Sequence, residues 1–68
     1  MLYMEFVYVL LFGSEWEDMI ILLSKEDAIN ESIKYPNTRV EIFSKNNNKL
    51  GYTPTYNYYV NGKLVKNS

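Results

Sequence analysis

Three carboxylates, Glu15, Glu17 and Asp18, crowd one short stretch around Trp16 and form the only acidic cluster able to hold a metal or catalyse. Carboxylates placed this closely can take up Ca²⁺ or Mg²⁺ through oxygen ligands. They can also divide acid and base roles when their surroundings split their pKa values. The spacing matches no EF-hand loop, and no glycine stands where such a loop turns. A solvated acidic hairpin loop accounts for the stretch more simply, so no metal and no other cofactor is expected. The chain has no Cys and no His, which removes thiolate nucleophiles, zinc ribbons and the commonest general base. No G-x-S-x-G elbow or S-x-x-K pair is present, and Gly13, Gly51 and Gly62 are too scattered to cradle a phosphate. No catalytic residue emerges, and the chain reads as non-enzymatic.

Tyrosine is the compositional anomaly, seven in 68 residues, with Tyr52, Tyr56, Tyr58 and Tyr59 close together. Aromatic side chains on an open sheet can stack nucleic-acid bases when a basic groove holds the backbone. The nearby cations are Lys45, Lys49, Lys63 and Lys66, but the net charge is −1 and the pI about 5.2. A single-stranded nucleic-acid module gripping with Tyr56, Tyr58 and Lys63 is therefore the alternative, and nucleic acid is a disfavoured partner. Tyrosine is equally a strand former and an interface residue, with an apolar body and a polar tip.

The elements that must position these residues follow from the hydrophobic pattern. Phe6–Phe12 is continuously apolar and rich in β-branched and aromatic residues, as in a central strand. Gly13 and Ser14 break it, and Met19–Leu23 forms a second apolar run, so the two make an antiparallel hairpin across the acidic loop. Ser24, followed three residues later by Asp27, is a capping-box start, and Pro36 ends the helix it opens. That helix offers one narrow stripe, Ala28, Ile29, Ser32 and Ile33. Arg39–Phe43 alternates as a half-buried strand, and Lys45–Lys49 reads as an exposed loop. Pro54 limits where the next strand can begin, and Tyr56–Val60 and Lys63–Val65 flank Asn61-Gly62, the strongest short-range hairpin signal. In that register Tyr58 opposes Val65 and Tyr59 opposes Leu64. The result is an α+β domain over residues 1–68, β-β-α-β-β with a short fifth strand, in which one helix packs on one face of a small antiparallel sheet.

One short helix cannot cover both faces of such a sheet. If it covers Val40 and Ile42, the opposite face exposes Phe43 together with alternate residues of the first strand. The favoured set is Phe6, Tyr8 and Leu10, with Val7, Val9 and Leu11 the alternative that periodicity leaves open. Trp16, Tyr56, Tyr58 and Tyr59 complete the candidate interface. A domain of this size, without disulfide or structural metal, gains most from association with another chain. The expected partner is a second copy, forming a homodimer, or else another protein.

No apolar run approaches the length of a membrane span, and the segment before Phe6 carries Glu5 without Lys or Arg, unlike an export signal. An intracellular, cytoplasmic setting is expected. The strings VYVLLF (Val7–Phe12), SKEDAI (Ser24–Ile29), YPNTRVEIF (Tyr35–Phe43) and GYTPTYNYY (Gly51–Tyr59) resemble small uncharacterised proteins of giant DNA viruses. That resemblance spans most of the chain and implies a small viral accessory protein in host cytoplasm or virion. It carries over no catalytic residues.

Overall fold

The computed structural model describes residues 5–13, 15–46, 48 and 50–67. Five strands, β1 (Phe6–Leu11), β2 (Met19–Leu22), β3 (Val40–Lys45), β4 (Tyr52–Val60) and β5 (Lys63–Val65), accompany one helix, α1 (Lys25–Lys34). All pairings are antiparallel, in the spatial order β2-β1-β3-β4-β5. The fold is α+β, as the pattern of elements implies. β1 lies between β2 and β3, so α1, which links those two strands, crosses over the sheet and packs on it.

Local chemistry sets each boundary. The Ser24 hydroxyl accepts from Asp27 N–H at 3.0 Å, satisfying one of the orphan donors of the first helical turn. Glu26 and Asp27 meet the positive end of the helix dipole and Lys34 the negative end. Between β4 and β5, Asn61 and Gly62 both take positive φ, 49° and 79°, as a two-residue primed turn demands. The expected register follows, with Tyr58 opposite Val65 and Tyr59 opposite Leu64. Gly62 is required twice over, because a Cβ there would lie 2.9 Å from the Ile33 side chain.

The core lies between α1 and one face of the sheet: Tyr8, Leu10, Val40, Ile42 and Tyr59 under Ala28, with Leu22, Ile29 and Tyr35 packed around them. This corrects the expected orientation of β1. Tyr8 and Leu10 face the helix, and Val7, Val9 and Leu11 face away. Register decides it, since Tyr8 pairs with Ile42 and Leu10 with Val40, and directly opposed residues share a face. A helix that presents only Ala28 and Ser32 as fully buried side chains leaves depth beneath it, which the Tyr8 and Tyr59 rings occupy with centroids 6.3 Å apart. Ile33, expected in the helical stripe, is exposed beside the Gly62 turn. At the C-terminal end of α1, Phe12 meets Tyr35 edge-on at 4.9 Å.

β4 begins earlier than its proline suggests. Lys45 N–H donates to Glu5 C=O at 2.9 Å, so odd-numbered residues of β3 bond to β1 and even-numbered ones to β4. Ser44 and Thr53 therefore exchange ladder bonds, whereas Pro54, opposite Phe43, turns its missing N–H outward beyond the reach of β5. Between Tyr58, opposite Glu41, and Pro54, opposite Phe43, the residues Thr55, Tyr56 and Asn57 all face Ile42. This bulge holds itself together. The Thr55 hydroxyl donates to Ile42 C=O at 2.8 Å and accepts from Asn57 N–H at 3.1 Å, and Tyr56 takes φ of 68°.

Candidate interaction surface

The face of the sheet turned away from α1 is apolar and uncovered by any described residue of the chain. Val7, Val9 and Leu11 of β1 line it, flanked by Met19 and Ile21 of β2 and by Phe43 of β3. Val9 is buried, but Leu11 and Met19 are exposed and Ile21 is 57% exposed. Toward β4 the same face becomes polar. Arg39 pairs with Glu41 at 3.0 Å and stacks on the Tyr58 ring at 4.3 Å, which screens that tyrosine. The apolar ground is thus concentrated on the β2 side.

That side is also an open edge. β2 shows exposed apolar side chains on both faces of the sheet. Ile20 and Ile21 are both exposed, as is Leu23 just beyond the strand. At the opposite edge β5 is only three residues long and is bracketed by Lys63 and Lys66, features that discourage strand addition.

The structure scatters the residues that the sequence grouped as an interface. Tyr8, Leu10 and Tyr59 are core residues, removed from the face turned away from α1 because their register places them on the helix side. Phe6 is partly exposed at the helix-side margin of the sheet, and Phe43 is half-buried on the uncovered face. Trp16, in the 3-10 turn Trp16–Asp18, is 75% exposed, and Tyr56 on the bulge is 63% exposed. Tyr56, Tyr58 and Tyr59 therefore occupy three different environments and make no common stacking platform. Val7, Val9 and Leu11 were the less favoured set in the sequence pattern, and Met19 and Ile21 were not singled out from it. Their apolar runs announce burial, but a run without alternation does not say which half faces the helix.

Two smaller features lie elsewhere on the surface. A cleft of about 280 Å³ on the helix side is floored by Tyr8, Ile42 and Tyr59 and edged by Lys25, Thr55 and Asn57. Burial raises the Tyr8 phenol above its ordinary pKa, and the neighbouring Tyr59 hydroxyl adds to the rise by opposing a second phenolate. The acidic stretch forms the 3-10 turn, with Asp18 N–H donating to Glu15 C=O at 3.0 Å. Among the described residues no three His, Cys, Asp or Glu side chains converge as a metal site would require. Among the same residues no helix is long and apolar enough to cross a membrane.

What fold and surface define together is a small α+β domain in which, among the described residues, one sheet face is covered and the other is not. Compared with protein families, with curated proteins and with solved structures, the chain matches none.

Proposed function

We propose that this is a small, non-enzymatic interaction protein that self-associates through the uncovered β1–β2 side of its sheet. One observation carries the reading: Leu11, Met19 and Ile21 stand exposed together on an apolar face that α1 does not reach. A contiguous apolar patch with a polar rim is the ordinary mark of an association surface. The Arg39–Glu41 pair borders it on the β3 side. An accessory role without chemistry of its own, in a reducing intracellular setting, suits a chain that lacks Cys and His. The viral setting implied by the sequence resemblance is compatible with such a role.

The test is mass in solution by light scattering or sedimentation, from sub-micromolar to high micromolar concentration. A dimer is expected, reverting to monomer when Ile21→Lys places a charge on the patch while the far-UV circular dichroism stays unchanged. A well-folded wild-type chain that remains monomeric at every concentration would overturn the reading.

A further inference from the structure

We infer that two copies of the chain join antiparallel along β2, about a two-fold axis beside Ile21, so that their sheets run on as one. The inference rests on the self-association reading and gives it a geometry.

Backbone parity provides the first argument. Phe12 N–H donates to Asp18 C=O at 3.2 Å, and these residues continue the β1–β2 register in which Leu10 opposes Ile20. Hydrogen-bonded pairs alternate along an antiparallel ladder, so Ile20 and Leu22 bond to β1 while Met19 and Ile21 point their polar groups outward. Met19 N–H is already taken by Trp16 C=O. The edge therefore offers Met19 C=O, both polar groups of Ile21, and Leu23 N–H.

This set is complementary to itself. With Ile21 opposite Ile21 of a second copy, each N–H meets the other's C=O. Leu23 N–H of each copy then reaches Met19 C=O of the other. Centring one residue earlier sets Met19 opposite Ile21 and leaves that Ile21 C=O facing the occupied Met19 N–H. Centring one residue later drives the first turn of α1 against Met19. The Ile21-centred register pairs both polar groups of Ile21 in each copy and joins Leu23 N–H to Met19 C=O. It leaves only Leu23 C=O against the occupied Met19 N–H, whereas the earlier register leaves Ile21 C=O itself unpaired. This self-pairing is why a second copy is the occupant.

Side chains and charge agree with that register. Ile21 lies beside Ile21, and Met19 beside Leu23, on the uncovered face. Ile20 lies beside Leu22 on the helix side. No Lys, Pro or Gly interrupts residues 19–23 to block the approach. At each end the acidic turn bearing Glu17 meets the end of β2 followed by Lys25. Glu26 and Asp27 at that same end offset part of this attraction, so backbone and apolar pairing carry the contact.

Two variants read the geometry directly. Ile21→Pro removes an N–H that has no partner within the protomer, so the folded spectrum should persist while the mass falls to that of a monomer. Ile21→Cys introduces the only thiol in the chain. A hydrogen-bonded pair has Cα atoms about 5.5 Å apart, within the reach of a disulfide. Mild oxidation should then give a covalent dimer, whereas Lys63→Cys on the β5 edge should not. If Ile21→Pro fails to fold, the cross-link alone decides. Absence of the Ile21→Cys dimer, with wild type dimeric and Phe43→Asp monomeric, overturns edge pairing and leaves face-to-face association standing. A wild-type monomer at all concentrations overturns both.

Discussion

Ser32 ties the helix to the terminal hairpin, and Ser32→Ala measures that tie. Its side chain is completely buried on α1, donating from Oγ to Ile29 C=O at 2.7 Å and accepting from Gly62 N–H at 2.8 Å. Replacement by alanine removes both bonds, with unequal consequences. The bond to Ile29 is a local back-bond within the helix, and its loss is small. Loss of the Gly62 acceptor leaves a donor facing a methyl group, a penalty of about 1–3 kcal/mol for a buried group. Gly62 is half-buried, which argues for the lower part of that range. Alanine's better helix propensity returns roughly 0.5 kcal/mol. The net destabilisation is about 0.5–1.5 kcal/mol, or a fall in Tm of roughly 2–12 °C for a domain of this size. Thermal melting followed by circular dichroism gives the number, at fixed concentration because association raises Tm. Amide exchange at Gly62 should quicken in parallel. A Tm within about 2 °C of wild type, with Gly62 still protected, would refute the claim that Ser32 is the acceptor that holds the turn.

Three further outcomes follow from other parts of the structure. Tyr56→Gly relieves a positive φ on an exposed residue and should raise stability by up to about 1 kcal/mol in urea denaturation, where a loss of that size would show that the ring packs. The Tyr8 phenol has a folded-state pKa above its unfolded one, so its contribution is complete below the unfolded value near pH 10 and is lost as pH rises through the folded value. Tyr8→Phe should accordingly flatten the alkaline decline in stability, and an unchanged alkaline limb would count against the assignment. Arg39 touches both Glu41 and Tyr58, yet its side chain is 58% exposed. Arg39→Ala should cost less than about 1 kcal/mol, weakening further in salt, and a larger loss would mean the stack is more desolvated than its exposure implies.

Much of the architecture is local and so was legible before folding was considered. Ser24 with Asp27, and the tandem positive φ at Asn61-Gly62, state their conformations in a few residues. The terminal hairpin's register then follows from its two-residue turn. Pro54 was a misleading signal, because a missing N–H matters only on the side where a neighbouring strand waits. Thr55 gave no signal at all. A hydroxyl standing in for a strand N–H at Ile42 C=O is visible only once the bulge exists.

Composition and local pattern by themselves determined the type and order of the elements, the helix cap, the last turn, and an excess of apolar strand surface over what one helix covers. They also left the chain without cysteine or histidine. Tertiary structure alone decided which half of β1 lies under the helix. An uninterrupted apolar run carries no phase, and only pairing of Tyr8 with Ile42 and Leu10 with Val40 supplies one. It also decided that β2 stands at an edge with Ile21 turned outward. Edge position depends on where α1 carries the chain next, since β3 could pair with either neighbour until the crossover placed it beside β1.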